Sequence, residues 1–371
     1  MGVALTATAW APGRVNIIGE HIDYNGGKVL PMAIHLGCTA TVDQIAGNEH
    51  VISSSQRPGD EVRIPVSHLA PGVITGWAAY PAGALWALID ADGPAMSVHI
   101  DGEVPAGAGL SSSASVECAV ASAVNVELHL GHSTRQLAVA ARRAENEFVG
   151  VPTGPMDQTV SMLAHDGHAL LFDTLHDTTS QVPLNPEPAE LAFLVIDTRA
   201  AHALVDGGYA ARRASCERAA AVLDVPLLRM VEDPAAALDR LAQEPDGDLL
   251  VRRARHVFTE MARVDAAVVA LLARDFARLG SLMNESHDSL RQDYAVSCPE
   301  LDLAVTTARA TGALGARMTG GGFGGSALAL APAASLDHLT AAVMRAYAEA
   351  GYAAPAFHRV RPSGGARILS A

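Results

Sequence analysis

Val104-Pro-Ala-Gly-Ala-Gly-Leu-Ser-Ser-Ser-Ala-Ser115 constrains the fold more than any other stretch of this sequence. Ahead of it, Ser97-Val-His-Ile100 alternates like a strand; behind it, Val116, Ala119, Val120, Ala123 and Val124 recur at helical spacing. A glycine- and serine-rich loop therefore feeds a helix N-terminus, where unpaired N–H groups and the helix dipole favour an anion. Ser111, Ser112 and Ser113 add hydroxyls that can donate to phosphate oxygens or face a metal ion. The lysine-bearing phosphate loop is absent, because Lys28, the sole lysine, is followed by Val29. A plain serine-capped helix would need one serine rather than this run.

A chain of 371 residues, 49% hydrophobic and 18% charged, has material for two ordinary domains and a substantial core. Its formal charge of −14 argues against a nucleic-acid or anionic-membrane surface. It also requires that a polyphosphate be held by local donors and metal. Cys38, Cys118, Cys216 and Cys298 are far apart and lack zinc spacing, so they are expected to be reduced thiols, with Cys118 and Cys216 buried in helices. No basic region followed by an apolar run opens the chain, and no apolar run reaches the length of a membrane span. A cytoplasmic chain is expected.

The first part alternates short strands and turns at Thr39–Asp43, Glu49–Ser53 and Glu61–Pro65. Helices are expected over Ala82–Ile89, after the Ser133-Thr134 cap with Leu137, Ala140, Ala141, Ala144 and Phe148 on one face, and over Met156–Leu163. His168–Asp173 reads as a strand, and Asn185-Pro-Glu-Pro188 as the linker between domains 1–185 and 190–371. Leu191–Ile196 is a buried strand, helices dominate Gly208–Leu290, and Glu244-Pro-Asp-Gly247 is an acidic loop. Strands at Ala316–Thr319, Ser326–Leu330 and Ala356–Arg361 and a helix over Leu336–Ala350 complete an α+β pattern.

Polar residues concentrate in three further places. Ala11-Pro-Gly-Arg-Val-Asn-Ile-Ile-Gly-Glu-His-Ile-Asp-Tyr-Asn-Gly-Gly27 gathers Arg14, Asn16, Glu20, His21, Asp23 and Asn25, groups suited to sugar hydroxyls; a polar loop ending in an Asn-Gly-Gly turn is the plainer alternative. Val151-Pro-Thr-Gly-Pro-Met-Asp-Gln158 delivers Asp157 to a helix start, where by itself it reads as a cap, and Glu145 by itself reads as a solvated helix carboxylate. Near a phosphate cradle the same pair suggests one carboxylate for Mg²⁺ and one for a nucleophile's proton. Gly320-Gly-Gly-Phe-Gly-Gly325 permits close backbone approach and exceeds what a tight turn needs.

In this order, these segments resemble the motifs of the GHMP small-molecule kinase superfamily, and more narrowly those of galactokinases. Arg14–Gly27 is similar to the galactokinase signature, Gly109-Leu-Ser-Ser-Ser-Ala-Ser115 and Met318–Gly325 to the second and third superfamily motifs, and Met283–His287 and Val296–Asp302 to further galactokinase segments. The resemblance implies a two-domain GHMP fold with the active site in the cleft between domains. It implies MgATP-dependent phosphorylation of the anomeric hydroxyl of α-D-galactose. It assigns Glu20, His21, Asp23, Gly154 and Tyr209 to the sugar, Asp157 to catalysis with Arg14 as its cationic partner, and Ser113 and Glu145 to Mg²⁺. Gly107, Ala108, Gly109, Leu110, Ser111, Ser112 and Ser113 would wrap the ATP phosphates, and Trp77 and Tyr80 would line the adenine pocket. Another sugar 1-kinase, for N-acetylgalactosamine or galacturonate, and a non-catalytic galactose-binding regulator are the competing readings; a monomer is favoured. Departures from the family are the ten residues before Ala11, fewer than the usual helix-forming segment, Ile22 in place of Thr, and Pro155 in place of an aliphatic residue.

Overall fold

The computed structural model describes residues 6–200 and 205–371. The chain forms two compact units that interleave in sequence: 1–14, 33–166 and 362–371 make the first, and 15–32 and 167–361 the second. The Asn185–Pro188 stretch lies within the second unit, where Glu187–Ala189 forms a short 3₁₀ turn.

The first unit is built on Arg367–Ser370, the first part of Ala7–Ile18, the second part of Lys28–Ile45, Ala95–Gly102, Glu49–Ser54 and Val62–Pro65, side by side in that order. Cys38, Ala40 and Val42 alternate inward, and opposite them stand Ile100 and Val98 in antiparallel register with Ala40 and Val42. Helices Ala79–Leu88, Ser112–Glu127 and Thr134–Arg143 supply the rest of this core through Ala82, Leu85, Val120, Val124 and Leu137. The predicted Ser133 cap forms a full capping box with Gln136. Helix Ser112–Glu127 is buried almost continuously from Ala114 to Val124, which places the carboxyl of Glu117 in the interior.

In the second unit, Ala356–Val360, Leu191–Asp197, Ser326–Pro332 and Gly315–Thr319 form an antiparallel sheet in that order. Strand Gly315–Thr319 ends the sheet on one side. Its outward N–H groups at Ala316 and Met318 donate to Asn284 Oδ1 (2.9 Å) and His287 Nδ1 (3.2 Å) on helix Phe276–Ser289. The Met283–His287 segment thus covers a sheet edge. Helices and strands mix in both units, as the α+β pattern requires. Several elements are not evident from the sequence pattern: strand Ala7–Ile18, the first half of strand Lys28–Ile45, strands Thr178–Pro183 and Arg367–Ser370, and helix Pro299–Ala310. In Ala7–Ile18 the alternation is hidden because residues on both faces are buried.

Candidate active site

Arg14 staples the glycine-serine loop of the first unit. Its backbone N–H donates to the Leu110 carbonyl at 3.0 Å, and its Nη1 to the Gly109 carbonyl at 2.7 Å. The neighbouring Gly13 permits this approach, since a Cβ there would stand 2.6 Å from the Leu110 carbonyl oxygen. Gly107 and Gly109 take positive φ, while the side chains of Ala108 and Leu110 are buried and anchor the loop. Ser111 adopts φ 55°, sparsely allowed for a residue with a side chain. Its hydroxyl does not cap the helix that follows.

That hydroxyl donates instead to Asp157 Oδ2 at 2.5 Å. Arg14 grips the same carboxylate in a bidentate pair, Nε to Oδ1 and Nη2 to Oδ2, each 2.7 Å. Asp157 stands in the first turn of helix Met156–Leu163 but caps nothing. The plain cap reading of this residue therefore fails: three of its acceptor sites go to a guanidinium and a loop serine, which leaves one on Oδ1. Ser161 of the same helix donates to the Pro12 carbonyl at 2.7 Å, fixing the helix against the strand that carries Arg14.

Ser113 Oγ donates to Glu145 Oε1 at 2.9 Å, and Thr153 Oγ1 and Gln158 Nε2 donate to Oε2 at 2.9 and 2.6 Å. Glu145 is only 4% exposed, so it is not a solvated helix carboxylate. It is the second residue of the π-helical turn Ala144–Val149, a distortion of helix geometry common at functional positions. Burial, and after it the nearby Asp157 charge, raises its carboxyl above the ordinary range. Glu117 is raised further, by burial and then by Glu145. Gln158 Nε2 bridges the two, reaching Glu117 Oε2 at 3.1 Å. Tyr80 is half-buried, its phenol raised by burial and then by Glu145. Trp77 packs against the core with Nε1 donating to Asp60 at 2.8 Å. Gly154 follows Thr153 in the loop before Asp157.

The second unit holds the rest of the N-terminal run. Glu20 is buried, and its Oε1 accepts from Gly320 N (2.8 Å), Thr319 Oγ1 (3.1 Å) and Arg317 Nη1 (3.4 Å), while Oε2 accepts from Asn16 Nδ2 (3.0 Å). The glycine turn Gly320–Gly325 is thereby tied to the run through its first N–H. His21 has φ 63° and its carbonyl accepts from Asn25 Nδ2 at 3.0 Å. Its ring packs against Tyr294 (4.9 Å between centroids) and Tyr209 (5.5 Å), the latter on helix Val205–Leu223. Burial, then His256, pushes the His21 imidazole down to about 3, so it is neutral. Asp23 opens the turn Asp23–Asn25, whose carbonyl at Asp23 accepts from Thr174 Oγ1 at 2.8 Å. Beneath this run, Glu260 accepts from Gly19 N (2.9 Å), Ser286 Oγ (2.7 Å) and Arg263 Nε (2.7 Å). Burial opposes its charge, but Arg263, His256 and Arg317 outweigh it and hold Glu260 at about 2.

Glu117, Gln158, Thr153, Tyr24, Tyr294, Arg317 and His256 escaped the sequence reading. Glu117 carried a signal: a carboxylate one turn after Ser113 within an apolar helical run. Arg317 carried another, a charge inside the predicted strand Ala316–Thr319. His256 and Tyr294 lie far along the chain from their partners and had none.

Three family models match: the GHMP kinase N-terminal domain over residues 79–165, the galactokinase galactose-binding signature over 2–44, and the GHMP kinase C-terminal domain over 267–350. A galactokinase of Streptomyces coelicolor is 47% identical over 97% of this chain and 93% of its own. A galactokinase of Mycobacterium tuberculosis is 43% identical over 98% and 99%. The crystal structure of Lactococcus lactis galactokinase complexed with galactose superposes with a TM-score of 0.89 at 28% identity, covering 98% of this chain and 95% of that one. The mevalonate kinase of Methanococcus jannaschii, at 17% identity and a TM-score of 0.69 over 96% and 98%, shares the fold. This chain belongs to the galactokinase family of the GHMP kinases.

Proposed function

We propose that the chain transfers the γ-phosphoryl group of ATP to the anomeric hydroxyl of α-D-galactose, giving galactose 1-phosphate and ADP. The observation that carries this reading is the Arg14–Asp157–Ser111 constellation: a carboxylate fixed by a bidentate guanidinium and by a hydroxyl of the anion-binding loop itself. The sugar O1–phosphorus bond forms as the bond between the γ-phosphorus and the β–γ bridging oxygen breaks, and the hydroxyl proton leaves toward Asp157. Charge spreads over the equatorial phosphoryl oxygens, so positioning and fixed donors supply most of the acceleration. N–H groups of the Gly107–Ser113 loop, other than that of Ala108, which donates to the Pro105 carbonyl, and the start of helix Ser112–Glu127 would supply such donors.

Mg²⁺ fits the residues present. Ser113 and Glu145 offer a hydroxyl and a carboxylate, hard oxygen donors that would hold the ion while phosphate and water oxygens complete its shell. The buried Glu145 carboxylate lies near Asp157 and Glu117, an excess of negative charge that a divalent cation relieves. When bound, the ion neutralises charge on the transferring phosphates. Glu20, His21, Asp23, Gly154 and Tyr209 are proposed for the sugar, and Trp77 and Tyr80 for adenine. The neutral His21 and the Glu20 carboxylate, whose Oε2 accepts only from Asn16 Nδ2, suit an uncharged polyol. The family segments 79–165 and 267–350 fall on either side of 185–190, supporting N- and C-terminal sequence domains at 1–185 and 190–371. Among the described residues no helix is long and apolar enough to cross a membrane. The cysteines are free thiols, which supports a reducing, cytoplasmic setting, and we propose a monomer there.

The test is coupled measurement of ADP release over a panel of free sugars. Glucose differs from galactose in the direction of the 4-hydroxyl. Leaving a buried partner unpaired costs roughly 1–3 kcal/mol, so galactose should lead in kcat/KM by at least about tenfold. Equal efficiency with glucose, or ADP release that no sugar stimulates, would overturn the assignment.

A further inference from the structure

Gln158, on helix Met156–Leu163, and Glu117, on helix Ser112–Glu127, are both fully buried within the first unit. Gln158 Nε2 lies 2.6 Å from Glu145 Oε2 and 3.1 Å from Glu117 Oε2, so its two hydrogens go one to each carboxyl. Among the described residues nothing donates to Gln158 Oε1, and Glu117 Oε1 has no partner either. Two buried oxygens that can only accept, on side chains that already share a hydrogen bond, would both go unpaired at a cost. A single proton on Glu117 Oε1 satisfies both of them. It donates to Gln158 Oε1 and, with the Nε2–Oε2 bond, closes a ring of two hydrogen bonds between a carboxylic acid and a primary amide. The electrostatics agree. Burial, and after it the charges of Glu145 and Asp157, raise the Glu117 carboxyl against the one hydrogen bond from Gln158. Of the three acids around the loop, Arg14 answers Asp157 and a proton answers Glu117, which leaves Glu145 for a cation.

We infer that Glu117 is a neutral carboxylic acid paired with the Gln158 amide, and that through this pair it is a positioning residue for Glu145. The second half of the inference rests on the reading of Glu145 as a ligand of Mg²⁺. Glu145 Oε1 accepts from Ser113, the other proposed ligand, whereas Oε2 accepts from Thr153 and Gln158. The two donors on Oε2 hold that oxygen back and leave Oε1 on the side of Ser113. Gln158 serves as such a donor because Glu117 grips the far edge of its amide. Without that grip one N–H and the amide oxygen lose their partners, and Glu145 alone holds the side chain.

Infrared spectra of the metal-free full chain at neutral pH read the proton directly. Wild type should show the carbonyl stretch of a protonated carboxylic acid, above the carboxylate bands and shifted in heavy water, and Glu117→Gln should remove it. Glu117→Gln nevertheless preserves the ring: the new amide oxygen accepts from Gln158 Nε2, and the new N–H₂ donates to Gln158 Oε1. It should therefore keep kcat and the Mg²⁺ concentration for half-maximal rate within about twofold of wild type. Glu117→Leu cannot pair and should raise that Mg²⁺ concentration by about tenfold, the low end of what partners of metal ligands contribute, with KM for galactose within about twofold. No such band in wild type, or a band that Glu117→Gln leaves in place, sinks the neutral acid. So does a Glu117→Gln chain as impaired as Glu117→Leu, since the charge rather than the pairing would then be what counts. A Glu117→Leu chain with the wild-type Mg²⁺ titration overturns the positioning role. Should Glu117→Leu not fold, Gln158→Met, which removes the same donor from Glu145 Oε2, carries the Mg²⁺ test with the same two outcomes. An unchanged Mg²⁺ titration in Glu145→Gln would instead sink the metal-ligand reading, while the infrared result still judges the acid–amide pair.

Discussion

Around the loop Gly107–Ser113, buried acids crowd together: Glu117, Glu145 and Asp157 lie within reach of one another's charge, with Arg14 clamped on the last. Around His21, the buried groups are neutral and protonated by turns: imidazole, phenol, phenol, thiol, with a second neutral imidazole at His256. Burial drives both sets, but it acts with opposite sign. It disfavours charge on the carboxyls and so raises them, and disfavours charge on the imidazoles and so lowers them. The first region is in electrostatic debt to a cation; the second asks for none. That difference supports the proposal that the first region takes the metal-borne polyphosphate and the second the uncharged sugar, in a chain whose formal charge of −14 would repel bare ATP.

The strongest way to break this comparison is at Asp157. Asp157→Asn keeps the size and one acceptor oxygen but gives up the charge that Arg14 faces across 2.7 Å. If the acids of the loop region act on reacting atoms, kcat should fall at least roughly 10²-fold, the low end of what general bases contribute, while galactose still binds. Turnover like that of the wild type would reduce the Arg14–Asp157 pair to a structural clamp between the loop and helix Met156–Leu163.

A second test separates the regions by the sign of their pH dependence. His21 and His256 titrate at about 3 and about 4 in the folded chain, against an ordinary value near 6.5. Both are neutral in both states above about pH 6.5. As pH falls below that, the unfolded chain takes protons first, so stability is lost down to the folded values. Glu117 and Glu145, raised by folding, behave oppositely: the folded chain takes protons first as pH falls toward 4.5, and stability is gained. Urea unfolding over pH 7 to 5 should show His256→Gln losing roughly 2 kcal/mol less than wild type by pH 5. Glu117→Gln should lose more than wild type, because its compensating uptake is gone. Parallel curves for all three chains would mean that these groups are not held as the folded geometry requires.

Legibility in the sequence follows the same divide. Helix Leu336–Ala350 was found to the residue, and Met156–Leu163 likewise, because their apolar periodicity is local and their ends carry turn residues. Arg14, Asp157, Ser113 and Glu145 take their proposed roles from the family resemblance, and the structure adds which of their atoms meet which. Ile22 shows the limit. Read as a side chain that need not face the sugar, it is fully buried against Gly27, so its substitution by Thr concerns the core as well as selectivity. The hydrogen-bond chain from Gly321 through His21, Tyr24 and Tyr294 to Cys216 was illegible for a simpler reason. Its members come from four places in the chain, and no spacing rule links a glycine carbonyl to a cysteine. Cys216 was read as a small buried residue, which it is, and burial alone does not say that its thiol has a phenol to serve.

The smallest expected effect sharpens the comparison most, because it moves two measurements in different directions. Glu145→Gln removes a buried charge near Asp157 without changing the size of the side chain. The amide oxygen can take the place of Oε2 and keep the donors Thr153 Oγ1 and Gln158 Nε2. The new N–H₂ then faces Ser113, whose hydroxyl turns to accept from it instead of donating. Every hydrogen bond is retained and a disfavoured buried charge is gone, so the metal-free chain should be no less stable at pH 7 than wild type. A neutral amide is a poorer ligand for a hard divalent cation, so the Mg²⁺ concentration for half-maximal rate should rise by about tenfold. Ser113→Ala should shift the same titration by less, since a hydroxyl contributes less charge to the ion than a carboxylate does. If Glu145 serves only to hold the π-helical turn to Ser113 and Thr153, the Mg²⁺ titration will superpose on that of the wild type, and the surplus of acid around the loop will need another cation to answer it.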